Sequence, residues 1–147
     1  MSQRLTALLF LGSEGPGRLA AQVGAVRAAA AEEAARLLAG LDEVERVLLV
    51  TSEREWAQTQ PDLPVTWEFD PPDPPFHFGR RLAGLIERHR LERVLYAGAG
   101  SLPLLPAAEL AGAVCPLCAA AAPLAVTNNL YSSDWIAFNH AADARPH

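Results

Sequence analysis

Three short stretches gather residue types that can hold an anionic ligand. The first is Gly12-Ser13-Glu14-Gly15-Pro16-Gly17-Arg18, directly before a helix-forming run. Glycines let the backbone approach a ligand closely, and the N–H groups opening the next helix suit a phosphate. Arg18 adds a cation capable of a bidentate contact. Glu14 opposes this, because its charge repels phosphate unless the side chain points away. The spacing is neither G-x-G-x-x-G nor a Walker A loop, whose lysine is missing. A tight strand-to-helix turn without a ligand is the competing reading. The second stretch is Gly98-Ala99-Gly100-Ser101-Leu102-Pro103, and the third is Thr127-Asn128-Asn129-Leu130-Tyr131-Ser132-Ser133-Asp134. Asn128 and Asn129 either cap a turn or line a site. Asp134 is the one carboxylate of that third stretch.

Other reactive side chains carry less. Cys115 and Cys118 form a C-x-x-C, but it lies late in an alanine-rich segment. A redox pair of this kind opens a helix, whose N-terminus stabilises the thiolate. Zinc would need two further ligands at suitable spacing, so structural cysteines are expected. His77 sits between Phe76 and Phe78. It is expected to be partly buried and structurally bonded, with a general base as the alternative. Trp56, Trp67 and Trp135 lack the basic interleaving of a single-strand nucleic-acid platform and read as core or interface anchors.

The elements that must position these residues follow from periodicity. Residues 5–11 form an apolar run bounded by glycine, which fits a strand buried on both faces. A long helix is expected from Arg18 to Ala39. Leu19, Val23, Val26, Ala30, Ala34, Leu37 and Leu41 recur at spacings of three and four, which predicts a shared buried face. Further strands are expected at 46–51, 65–67, 94–97, 124–127 and 135–138, with helices at 78–90 and 107–114. The proline-rich run from Asp70 to Pro75 excludes both helix and central strand. Residues 139–147 read as a tail after a single domain over 1–138. Strands alternating with helices imply parallel pairing and right-handed crossovers, hence helices on both faces. The expected fold is α/β: a three-layer, Rossmann-like α/β/α sandwich with a mostly parallel sheet. In such sheets ligands bind outside the carboxyl ends of the strands, where all three polar stretches fall.

Composition narrows the function classes. A chain of 147 residues suits one domain with a real core. The formal charge of −5, with arginines scattered, gives no electrostatic footprint for nucleic acid. No apolar stretch is long enough to span a bilayer. The apolar start is too short, and too soon followed by Gly12, to read as a signal peptide. Two cysteines are too few for a disulfide scaffold, which places the chain in the cytoplasm.

Residues 11–19 resemble a worn form of the signature loop in nucleotidyltransferases of the glycosyltransferase-A fold. That group includes the molybdenum-cofactor nucleotidyltransferases and the 2-phospholactate guanylyltransferases. Their pattern is a strand, a glycine-rich loop ending in arginine, and a helix; a lysine slightly downstream contacts phosphate. The first helix here contains no lysine. Residues 96–105 are similar to the family's Gly-Asp-x-Pro-Leu-Leu. Gly100, Pro103, Leu104 and Leu105 match, and Ser101 stands where the family has the aspartate that holds magnesium. Phe78-Gly79-Arg80-Arg81-Leu82 is similar to a helix-opening segment of related proteins.

The resemblance implies a domain binding a nucleoside triphosphate or nucleotide sugar. Gly12, Ser13, Gly15, Gly17 and Arg18 would cradle the nucleotide, Gly100 and Ser101 would face its phosphates, and Asn128 and Asn129 would line the site. Asp134 is the remaining candidate for a Mg²⁺ contact, against the alternative of an exposed turn residue. A serine hydroxyl alone is a weak neutral ligand that would not secure the metal. That substitution leaves two readings: an active nucleotidyltransferase, or a non-catalytic binding module of the same fold. The resemblance covers residues 5–138. Family members continue with further strands and helices that complete the acceptor site; the resemblance implies that this chain is a fragment, or that its acceptor half is absent or comes from another subunit, so a homo-oligomer is compatible with it.

Overall fold

The computed structural model describes residues 3–102, 104–129 and 134–141. Its elements in chain order are β1 (Leu5–Leu11), α1 (Arg18–Ala39), β2 (Val44–Thr51), α2 (Arg54–Gln58), β3 (Thr66–Phe69), α3 (Phe78–His89), β4 (Arg93–Gly98), α4 (Ala107–Ala119), β5 (Ala125–Thr127) and β6 (Trp135–Asn139). The sheet runs β3-β2-β1-β4-β6-β5. Strands β3, β2, β1 and β4 are parallel, and β6 runs antiparallel to both β4 and β5. Among the described residues no helix is long and apolar enough to cross a membrane.

β1 is buried along its whole length because it lies mid-sheet with both faces covered. Its side chains alternate between two cores, as a two-residue period requires. Leu5, Ala7, Leu9 and Leu11 pack with α1 and α4, whereas Leu8 and Phe10 pack with Leu85 and Ile86 of α3. The result is the expected three-layer α/β/α sandwich.

The face that periodicity predicts for α1 holds in its C-terminal part, where Ala34 and Leu41 are buried and Leu37 packs on the core, and fails in its N-terminal turns. Ala31, Ala34, Ala35 and Leu38 are buried, while Leu19 and Val26 are 73% and 70% exposed. Length explains this. A 22-residue helix spans about 33 Å and a seven-residue strand only about 23 Å. The N-terminal turns of α1 therefore project past the end of β1, and only the alanine-rich C-terminal half lies against the sheet.

Three other differences are local. α2 is a five-residue helix, too short for periodicity to reveal. α4 continues through Pro116 to Ala119 rather than stopping at Val114; Arg93 Nε donates to Leu117 O at 3.1 Å and satisfies a carbonyl of its last turn. β6 includes Asn139, which is buried, and Ala141 beyond it is also buried. Ordered packing thus extends past Phe138. The three tryptophans are anchors: Trp56 meets Trp67 edge-on at 5.5 Å, and Trp135 is buried.

Both cysteines are free and lie in the C-terminal half of α4, far from a helix N-terminus. Burial pushes the Cys118 thiol above its ordinary value; Cys115 and Glu43 add to this, and Arg93 and Arg4 oppose it. A raised thiol supports the fold below the ordinary thiol pKa, and that support is lost as pH climbs through the raised value. Iodoacetamide at pH 8 should therefore modify the exposed Cys115 well before Cys118, as read by fragment mass spectrometry. Equal rates at the two thiols would contradict the burial.

Candidate functional site

The topology brings the carboxyl ends of β1, β4 and β5 to one edge. β5 points the same way as β4 because both are antiparallel to β6. The joins at this edge are direct. Ala99 N donates to Phe10 O at 2.9 Å, and Gly98 N donates to Asp134 O at 3.4 Å.

The glycine loop after β1 is exposed at Gly12, Ser13, Gly15, Gly17 and Arg18. Gly17 holds φ at 117° and ψ at 163° as the N-cap of α1. That region is essentially open to glycine alone. Gly17 brings no capping side chain and the first turn carries no acid, so the backbone N–H groups that open the helix face the loop. Gly12 and Gly15 lack a positive φ, and a Cβ added at either would meet no atom within 4 Å. Gly17→Ala should therefore cost about 1–3 kcal/mol of stability, measured by urea unfolding. Gly15→Ala should be close to neutral in the same measurement. Equal effects would show that the positive φ does not govern the loop.

Glu14 does not face the loop mouth. It accepts from Arg27 Nη1, one of the residues of α1, and its Cγ lies 3.6 Å from where a Cβ on Gly24 would stand. The carboxylate that argues against an anion site is thus folded back along the helix.

The loop separates two clefts. One, of about 500 Å³, lies between α1 and α2 and is lined by Gly12, Gly15 and Gly17 with Ala20, Gly24 and Trp56. The other, of about 480 Å³, opens over the ends of β1, β2 and β4. It takes Gly12, Ser13, Arg27, Ser52, Asp70 and Gly98 on its polar side. Its apolar wall is aromatic: Phe10 meets Phe78 at 5.6 Å and Tyr96 at 5.3 Å, and Phe78 meets Tyr96 at 4.9 Å, all edge-on. Phe76 joins through Phe10 at 6.4 Å and is 58% exposed. Burial raises the Tyr96 phenol above its ordinary value.

The structure brings Gly12, Ser13 and Gly98 together with Phe78 and Tyr96, which open two of the segments that carry the family resemblance, and with Phe10, Arg27, Ser52 and Phe76, which no sequence motif singles out. A further sequence signal for this wall is the pair of phenylalanines flanking His77 after the proline run. His77 itself is exposed rather than partly buried, and its Nδ1 accepts from Arg80 N at 3.3 Å as the N-cap of α3. The loop before it is fixed by Arg81, which donates from Nε to Asp70 Oδ1 at 2.8 Å and from Nη2 to Phe69 O at 3.2 Å.

The remaining candidates line neither cleft. Arg18 and Gly100 are exposed. Ser101 closes a turn onto Gly98, with its N–H 3.0 Å from Gly98 O and its Oγ 3.2 Å from where a Cβ on Gly98 would stand. Asn128 and Asp134 clasp each other: Asn128 Nδ2 donates to Asp134 Oδ2 at 2.9 Å, and Asn128 Oδ1 accepts from Asp134 N at 3.1 Å. Asn129 is exposed beside them. Residues 130–133 of this stretch, and Pro103, lie outside the described residues. Among the described residues no three of His, Cys, Asp and Glu come together as a metal site.

No protein-family model matches the chain, and no curated protein matches it in sequence. Solved structures do match in three dimensions. A protein described as a nucleotide-diphospho-sugar transferase, from Desulfovibrio desulfuricans G20, superposes with a TM-score of 0.68 at 13% identity, over 99% of this chain and 66% of that one. A cytidylyltransferase from Leptospira borgpetersenii serovar Hardjo-bovis gives 0.67 at 13% identity, over 95% of this chain and 61% of its own. The chain has the fold of these transferases. A CMP:2-keto-3-deoxy-manno-octonic acid synthetase complexed with CTP gives 0.63 at 10% identity, over 83% of this chain and 50% of its own. This chain therefore spans between half and two thirds of the length of these transferases. Their shared architecture agrees with the glycosyltransferase-A resemblance read from residues 11–19 and 96–105.

Proposed function

We propose that this chain is a nucleotide-binding, nucleotidyltransferase-like domain for a nucleoside triphosphate or nucleotide sugar, acting in the cytoplasm. The observation that carries this reading is the position of the glycine loop. Its first residues, Gly12 and Ser13, line the cleft whose opposite wall is aromatic, while its last, Gly17, opens α1 and lines the neighbouring cleft. Backbone that a ligand can approach closely suits phosphate, and the aromatic wall suits a planar base, which binds aromatic faces and edges without demanding a particular sequence of donors. The CTP bound by one of the structurally similar proteins supports the same ligand class.

A specific observation favours a second reading, a binding module that does not catalyse transfer. Asp134 is engaged by Asn128, and Ser101 is turned onto Gly98. Thermal unfolding with ATP, GTP, CTP and UTP tests the shared part of both readings, because a ligand that binds only the folded state raises the midpoint. At least one nucleotide should raise it by several degrees; no response to any of the four would remove both readings. Pyrophosphate release on mixing the stabilising nucleotide with candidate phosphorylated acceptors separates the transferase from the binding module.

A further inference from the structure

The family resemblance implies magnesium, and the residues described here do not fit it. Mg²⁺ demands converging oxygen donors in near-octahedral geometry. Three of the carboxylates at the carboxyl edge are instead each engaged by another side chain, and Glu53 lines the cleft between α1 and α2 rather than the aromatic one. Glu14 pairs with Arg27, Asp70 with Arg81, and Asp134 with Asn128. Ser101 is neutral. Any phosphate bound in the aromatic cleft still carries charge that something must neutralise.

Arg27 is the one cation among the described residues lining that cleft, where it stands with Ser13, Ser52 and the carboxylate of Asp70, which Arg81 already pairs. Its partner Glu14 lines the neighbouring cleft. The ion pair is therefore a partition between the two spaces. Its side chains are 41% and 25% exposed, so the pair is weak enough to exchange for a competing anion. A guanidinium presents the same donor fork to a phosphate as to a carboxylate, and a phosphate offers more charge and more acceptors. All 12 basic residues of the chain are arginines, so no lysine is available for this role.

We propose that Arg27 takes the anionic group of the nucleotide in place of a divalent cation, and that Glu14 occupies Arg27 until the ligand displaces it. This rests on the nucleotide-binding reading above. The test is calorimetric titration with CTP, ATP, GTP and UTP, in EDTA and again in excess Mg²⁺, on the wild-type chain, Glu14→Gln and Arg27→Gln.

Wild-type affinity should be the same in both buffers within about twofold, since an adequate charge partner is already in place. Glu14→Gln should bind about fivefold more tightly, because the competing carboxylate of a partly exposed pair is gone. Arg27→Gln should bind at least about tenfold more weakly, through loss of a charge-assisted contact. Both variants break the same ion pair, so a purely structural role would move them in the same direction. Binding that requires Mg²⁺, or weakening in both variants, overturns the inference and leaves the nucleotide reading intact. If the wild-type chain binds no nucleotide in either buffer, the nucleotide reading fails and this inference fails with it. Should Arg27→Gln not fold, the EDTA comparison and the direction of the Glu14→Gln effect still decide.

Discussion

Phe10→Ala is expected to destabilise the domain by about 3–5 kcal/mol, the range for truncating a buried aromatic, and to abolish nucleotide-dependent stabilisation. Phe10 is only 8% exposed and packs between the sheet and α3 with Leu8, Val50 and Leu85. It is also the ring that Phe76, Phe78 and Tyr96 all touch. Removing it leaves a void under the aromatic wall and frees the segment around Phe76 that leads into α3. Phe10→Leu keeps most of the volume and should cost under about 2 kcal/mol. It still removes the edge-on ring contacts, so it should weaken nucleotide binding while the domain remains well folded. Urea unfolding gives the first quantity and ligand-dependent melting the second. A Phe10→Ala loss below about 1 kcal/mol would mean that the wall packs independently of this ring.

Asn139→Ala should cost about 2–3 kcal/mol, from three hydrogen bonds lost at once with only partial replacement by water. The buried Asn139 side chain joins β6 to the chain leaving α4. Its Oδ1 accepts from Leu124 N at 2.7 Å, and its Nδ2 donates to Ala122 O at 2.9 Å and Ala120 O at 3.2 Å. Asn139→Asp keeps the acceptor for Leu124 but aims a carboxylate at two carbonyl oxygens, so at neutral pH it should be no better than alanine. The damage should fall first on the short edge strand β5, seen as faster amide exchange at Ala125–Thr127. Unchanged exchange there, with an unchanged melting midpoint, would show that β5 is held by its pairing to β6 alone.

Much of the framework is legible in the sequence where physical contrast is strong. β1 reads as a strand because both its faces are covered, which makes its apolar run continuous. The loop after it reads clearly because glycines and Pro16 interrupt two regular elements, and Gly17 does adopt a conformation that excludes other residues. α1 is legible as a helix, but its buried face only in the C-terminal part, at Ala34, Leu37 and Leu41. Its sheet contact is made by alanines, which carry little hydrophobic contrast, whereas Leu19, Val23 and Val26 dominate the periodicity and stand on turns that overhang the sheet.

The site is less legible because it is assembled across the chain. Phe10, Phe76, Phe78 and Tyr96 come from β1, the loop before α3, α3 itself and β4, and no local pattern links them. The Glu14–Arg27 pair spans 13 positions, so Glu14 read alone is an obstacle to phosphate. Asn128 and Asp134 each read as candidates for a ligand contact, and only their geometry shows that they hold each other.

The central claim is that nucleotide binds at the carboxyl edge, between the glycine loop and the aromatic wall. Titration of the ¹⁵N-labelled protein with CTP, and in parallel with ATP, GTP and UTP, tests it most directly by amide chemical shifts. Binding as described should move the amides of Gly12 to Arg18, of Arg27 and of Gly98 to Ser101, and leave those of α4 in place. No shifts with any nucleotide, or shifts confined to residues away from that edge, would contradict the claim.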